Sequence, residues 1–219
     1  FAASKPFAGG CSMHTLFAKL TQHPIIAVVR KAEELDDALY SPVSAIELRG
    51  AALHELPLIM QKARRAEKTV LLYPELIDGL AGDASGLDFL TRYALPDGIV
   101  STKRQVLQRA RALGLLTVYQ IFMIDTQAFG TGVKSARRLE CDAIEVMPGI
   151  IPAVVSEICP LVDKPVLCAG LVKRPEEVQQ LPAAGAAGVA SSSRRLWYGA
   201  FAAGTAPQAG ASGNEEVQP

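Results

Sequence analysis

"PDGIVSTKRQVLQRARALGLLTVYQ", residues 96–120, sets two short apolar runs on either side of a stretch with a different period. Residues 97–101 and 116–120 read as buried strands, being short, rich in β-branched and apolar residues, and bounded by turn residues. Between them, residues 102–113 put Val106, Leu107, Ala110 and Leu113 on one stripe and Lys103, Arg104, Gln108 and Arg111 mostly off it, the pattern of an amphipathic helix. Gly114 closes that helix. Two strands joined by such a helix pair in parallel, because a parallel neighbour needs a crossover and the helix supplies it.

The unit recurs along the chain. Residues 25–29, 45–49, 69–73, 142–147, 165–169 and 187–191 read as further strands, each followed by helical sequence. In the 174–184 helix, Pro175 stands in the first turn, Glu176 and Glu177 beside the positive end of the dipole, and Gly185 at the stop. Pro182 is expected to end it early, and Pro57 to mark the first turn of the helix after the second strand. Gly130 and Gly132 weaken the helix that holds them by about 1 kcal/mol each relative to alanine. Asp125, just before that helix, reads as its N-cap.

Eight such units predict an α/β fold, a small (β/α)8 TIM-type barrel. At 219 residues the chain is below the ~250 typical of that fold, so loops must be short and one unit degenerate. An open doubly wound sheet is the alternative, while the ladder of a leucine-rich solenoid is absent. The barrel is expected over residues 23–199, with flexible tails at 1–22 and 200–219, where Ala, Gly, Pro and Ser dominate.

With 22 basic and 22 acidic residues the chain is formally neutral, so composition alone points to no nucleic-acid or membrane partner. No apolar stretch approaches the ~18 residues that cross a bilayer, and no secretory leader pattern is present. The four cysteines, Cys11, Cys141, Cys159 and Cys168, show no CxxC spacing and read as reduced and structural, which suits a cytoplasmic protein.

In parallel β/α folds the carboxyl ends of the strands face the ligand, so polar residues there deserve a role. Glu145 interrupts the apolar run 144–147; Glu47, Tyr73, Glu75, Ser101, Gln120 and Ser191 stand at corresponding places, and strand alternation lets only some point inward. After the last two strands come "CAGL" at 168–171 and "GVASSSRRLW" at 188–197. Gly170, Lys173, Ser191, Ser192 and Ser193 are the expected phosphate-binding set, with backbone amides at the start of a short last helix supplying donors. The same serine run before Arg194 and Arg195 is also an ordinary way to begin a helix.

These motifs resemble a known family. "PDGIVSTKRQVLQRARALGLLTVYQIFMID", "DAIEVMPGIIP", "PVLCAGLVKRPEEV" and "GVASSSRRLW" are similar to the glycerol uptake operon antiterminator regulators, and "PIIAVV", "SPVSAIEL" and "LIDGL" fit as well, from Pro24 to Trp197. The resemblance implies a (β/α) barrel and a glycerol 3-phosphate-responsive regulator that acts on leader mRNA of glycerol-utilisation genes to prevent transcription termination. It implies no cofactor, the phosphorylated metabolite being the effector. Glu75, Gln120 and Glu145 are then expected to take the effector's hydroxyls. One departure stands out: "LLYPELIDGL" carries Tyr73-Pro74-Glu75 where the family pattern is His-x-Asp-Leu, which puts ligand specificity in question.

RNA binding requires local positive charge. Arg104, Arg109 and Arg111 on one helix, Lys134, Arg137 and Arg138 on the next, and Arg174, Arg194 and Arg195 near the phosphate loops are the candidates, although such residues are ordinarily solvated surface. No aromatic RNA-stacking motif is present. The rival reading is an enzyme on a small phosphorylated metabolite, in which Glu47, Glu75 and Glu145 hold Mg2+ or perform acid–base work. No lysine sits well for Schiff-base chemistry, and His14, His23 and His54 read as surface residues. A homo-oligomer is a further partner compatible with the sequence, and a membrane is not.

Overall fold

A computed structural model describes residues 13–201 of the chain. Eight parallel strands close into a barrel: β1 (Ile25–Val29), β2 (Ala45–Leu48), β3 (Thr69–Leu72), β4 (Gly98–Ser101), β5 (Leu116–Phe122), β6 (Ala143–Met147), β7 (Val166–Ala169) and β8 (Ala186–Ser191). Each strand pairs with its neighbours in sequence, and β1 closes the ring on β8 through Ile25–Val189, Ile26–Ala190 and Ala27–Ser191. A short parallel pair, Ala51–Ala52 with Ile77–Asp78, ties together the loops after β2 and β3. The TIM-type barrel is therefore the fold, and the open sheet is set aside.

Among the described residues, one α-helix precedes the barrel and one follows each strand: α1 (Met13–Leu20), α2 (Leu35–Tyr40), α3 (Leu56–Arg65), α4 (Ala84–Tyr93), α5 (Arg104–Ala112), α6 (Thr126–Arg138), α7 (Pro152–Ile158), α8 (Pro175–Gln180) and α9 (Arg194–Trp197). Local chemistry sets their ends. Asp125 accepts from the Ala128 amide at 2.7 Å and caps α6. Pro57 lies in the first turn of α3, and Pro182 confines α8 to six residues before Gly185, at φ 96°, turns the chain. The degenerate unit is the last, since α9 has four residues.

Strand alternation divides the core into two shells. Ile25, Ile46, Leu72, Ile99, Ile144 and Val189 face outward onto the helices. Ile26, Ala45, Leu71, Val100, Val118, Ala143, Leu167 and Ala190 face the lumen and fill it. The amino-terminal end of the lumen is closed by α1, whose Leu16 and Leu20 are 0% and 1% exposed and pack into the lumen cluster.

That packing corrects the expected domain limits. The helix occupies part of the stretch 1–22 read as a tail, because its two leucines, four residues apart, form a stripe too short to stand out from sequence alone. At the other end Phe201 meets His23 edge-on at 5.6 Å; His23, read as a surface residue, is half-buried there. Residues 1–12 and 202–219, with Cys11, lie outside the described residues. Cys141, Cys159 and Cys168 are free, and burial pushes the Cys141 and Cys159 thiols up to about 11. No described helix is long and apolar enough to cross a membrane.

The two α6 glycines differ in kind. A Cβ at Gly132 would lie 2.6 Å from Ile121 Cγ2, so the close approach of α6 to β5 requires glycine there; a Cβ at Gly130 would meet nothing within 4 Å. The sequence expectation of equal weakening therefore holds for Gly130 alone. Gly130→Ala should raise stability by about 0.5–1 kcal/mol and Gly132→Ala should lower it by about 1–3 kcal/mol, read as opposite shifts of the urea midpoint.

Candidate functional site

Above the apolar lumen, at the carboxyl ends of the strands, the inward positions turn polar. Glu47 on β2, Gln120 on β5 and Glu145 on β6 are 1%, 2% and 1% exposed. Tyr73, one residue past β3, is buried beside them, and Arg49, one residue past β2, shares the inward side with Glu47 because two residues separate them. Arg49 Nε donates to Glu47 Oε1 at 2.6 Å, and its Nη2 donates to Glu145 Oε1 at 2.8 Å. In the ring order, β2 and β6 are opposite one another, so this ion pair crosses the barrel's diameter.

Register supplies the rest. Gln120 pairs with Glu145 on the neighbouring strand, and its Nε2 donates to the same Oε1 that Arg49 holds. The Tyr73 hydroxyl donates to Gln120 Oε1 at 3.3 Å, while its ring lies 5.7 Å from the Arg49 guanidinium carbon. Together these side chains floor the mouth.

Two buried carboxyls facing one guanidinium leave an excess negative charge that burial makes expensive. Burial, and next the Glu47 charge, raise Glu145 well above the ordinary carboxyl range, against the pull of Arg49 and the Gln120 hydrogen bond. Burial alone would lower Arg49, but the charges of Glu47 and Glu145 more than offset it, so the guanidinium stays charged. Desolvation likewise raises the Tyr73 phenol.

Beside this floor lies a second acidic position. Ser101 Oγ donates to Glu75 Oε1 at 2.6 Å and accepts from the Lys103 amide at 3.0 Å, and Lys103 Nζ stands 3.9 Å from the same carboxylate oxygen. Among the described residues, Glu47 Oε2 and Glu75 Oε2 are buried with no hydrogen-bond partner.

The loops after β7 and β8 form the opposite wall. Gly170 has φ 78°, and a Cβ there would come 2.9 Å from Met147 Cγ, so only glycine lets this loop pass close to β6. Ser191 is spent structurally: its hydroxyl donates to the Val172 carbonyl at 2.7 Å and accepts from the Ser193 amide at 3.1 Å, tying the two loops together. Ser193 Oγ donates to the Lys173 carbonyl at 3.3 Å. Among the described residues the amides of Gly170 and Ser192 have no partner, and the Lys173 side chain is exposed.

The structure thus brings Gln120 and Glu145 into one network and sets Glu75 in a second, adjoining one. Arg49, the centre of the first, escaped the sequence reading; its signal was a basic residue two places after an inward acid. No group of three or more His, Cys, Asp or Glu suited to a metal ion occurs among the described residues, and the buried polar residues include no lysine.

The basic residues are scattered. Arg109 pairs with Asp88, Arg111 with Glu140 and Asp142, Arg174 with Glu177 and Arg194 with Asp37, and Arg104 Nη2 donates to Ser135 Oγ at 3.1 Å. Lys134, Arg137, Arg138 and Arg195 are exposed. Arg111 and Arg138 line one groove together with Glu140.

Among known proteins, residues 25–197 match the family described as glycerol-3-phosphate responsive antiterminator. The solved structure of a glycerol uptake operon antiterminator regulatory protein from Listeria monocytogenes is 31% identical, with a TM-score of 0.76 over 80% of this chain and 95% of that one. A glycerol uptake operon antiterminator-related protein from Thermotoga maritima is 26% identical, with a TM-score of 0.69 over 79% of this chain and 96% of its own. An uncharacterized protein from Escherichia coli K12, YgcP, is 27% identical over 178 residues, 81% of this chain and 93% of that protein.

The floor makes a stability prediction. Because the folded state raises Glu145, it binds more protons than the unfolded chain from the ordinary glutamate value of about 4.3 up to the raised one. That contribution is complete below the window and lost as pH rises through it. Glu145→Gln should flatten the decline of urea-denaturation stability with rising pH, whereas Arg49→Met, which leaves two buried acids unneutralised, should cost roughly 3 kcal/mol at neutral pH.

Proposed function

The chain belongs to the glycerol-3-phosphate responsive antiterminator family, and from that premise we propose that it is a cytoplasmic regulator that binds glycerol 3-phosphate in the barrel mouth and engages leader mRNA to prevent transcription termination. The observation that carries this reading is the pairing of a polar floor, Glu47–Arg49–Glu145–Gln120, with the unpartnered amides of Gly170 and Ser192 on the facing loops. The phosphate sits on those two amides, with Lys173 supplying charge. Ser191 and Ser193 hold the loops in place, and α9, a single turn, contributes donors rather than a sizeable dipole.

RNA takes the outer face of α5 and α6. Lys134, Arg137 and Arg138 have no ion-pair partner among the described residues and are the cations best placed to release counterions from phosphate. Coupling follows if the bound phosphate favours one arrangement of loops 170–174 and 191–195, since Arg174 and Arg194 move with them. Phe122 at the end of β5 and Ile124, Ile151 and Leu171 on the loops beyond the strands are exposed, and a homo-oligomer would cover apolar surface of this kind. The regulatory reading is favoured over an enzyme because Arg49 ties up one oxygen each of Glu47 and Glu145 and, among the described residues, no lysine is buried in the lumen.

Fluorescence anisotropy with a terminator-containing leader transcript tests this. Affinity should rise with glycerol 3-phosphate and fall with salt, and Ser192→Glu should abolish the response to the metabolite. A Lys134→Glu, Arg138→Glu double variant should flatten the log–log salt slope by about 1–2. Turnover of a phosphorylated substrate with no RNA retention would establish the enzyme instead.

A further inference from the structure

Hydrogen bonding inside the mouth leaves two acceptors over. Glu145 Oε1 already accepts from Arg49 and Gln120, and Gln120 Oε1 accepts from Tyr73. At the carboxyl ends of the strands, Glu47 Oε2, on a side chain only 1% exposed, and Glu75 Oε2 are buried with no hydrogen-bond partner among the described residues. A buried acceptor without a donor is costly, so native sites keep one where something else supplies the donor.

We infer that Glu47, together with Glu75, reads the hydroxyl groups of the effector and so selects a phosphorylated polyol over the ketone of the same carbon skeleton. This rests on the mouth being the effector site, and it moves the hydroxyl-binding role from Gln120 and Glu145 to the pair that the protein itself leaves unpaired. An ionised carboxylate only accepts hydrogen bonds. A hydroxyl can donate to it; a carbonyl oxygen cannot, and would set acceptor against acceptor.

Glu47 is the penultimate residue of β2, and Glu75 follows β3, the adjacent strand. Each acid is fixed through its other oxygen: Arg49 Nε holds Glu47 Oε1 at 2.6 Å, and Ser101 Oγ holds Glu75 Oε1 at 2.6 Å. Arg49 and Ser101 are therefore positioning residues, which turn each carboxylate so that its second oxygen is left for a ligand. Both free oxygens are shielded from bulk solvent, and a ligand hydroxyl entering the mouth supplies the donor that each lacks.

Tight discrimination is the signature of such a site, because a pocket built to bond a hydroxyl strands its own polar groups when the hydroxyl is missing. Calorimetric titration of the full chain with glycerol 3-phosphate, dihydroxyacetone phosphate and inorganic phosphate tests this. The wild-type protein should prefer glycerol 3-phosphate to the ketone by about tenfold or more. Glu47→Gln should narrow that ratio, since an amide NH2 can donate to the ketone; Glu75→Gln, in a partly exposed turn, should narrow it too and serves if the first variant does not fold. Equal affinity for the polyol phosphate and the ketone, or a ratio unchanged in both variants, overturns the assignment while leaving phosphate recognition standing. Binding of none of the three compounds overturns the effector site along with it.

Discussion

Arg49 reaches across the barrel to Glu145, and the mouth is organised around that reach. A guanidinium this deep is tolerable only with opposite charge on it, and two acids on opposite sides of the ring supply it. The same contact fixes Gln120 through Glu145 and, through Gln120, the Tyr73 hydroxyl. Beneath this layer the lumen is apolar and is sealed at the far end by Leu16 and Leu20 of α1. The result is a barrel closed from below with a polar floor near its open end, which suits holding a small anion against loop amides.

Arginine rather than lysine suits this position. Its planar fork serves Glu47 through Nε and Glu145 through Nη2 at once, and its face is 5.7 Å from the Tyr73 ring centroid. A lysine offers a point charge with no such fork. Tyr73 is part of the same construction, since its ring lies against the Arg49 guanidinium, and Glu75 in the adjoining network presents a free acceptor.

Period and punctuation made the barrel legible. Strands and helices at 97–101, 102–113 and 116–120 lie within two residues of their observed limits, because apolar alternation and the glycine stop depend on neighbours in the chain. The α1 plug was missed since its meaning lies in packing against β8 and the lumen, which no local pattern encodes. At the site, residue type and strand-end position made Glu145 and Gln120 candidates, but left open which strand-end residues point inward. Which polar atoms remain free was not readable: Ser191 looks like a phosphate donor in sequence, yet its hydroxyl is consumed by Val172 and Ser193. Long-range pairing decides such questions, as with Arg49 and Glu145, 96 residues apart.

The most direct test of the account is a crystal structure of the chain grown with glycerol 3-phosphate. The phosphate should lie on the amides of Gly170 and Ser192, with the polyol end turned toward Glu47 and Glu75 above an intact Arg49–Glu145 bridge. A metabolite bound elsewhere, or a mouth occupied by the protein's own side chains at saturating ligand, would contradict it.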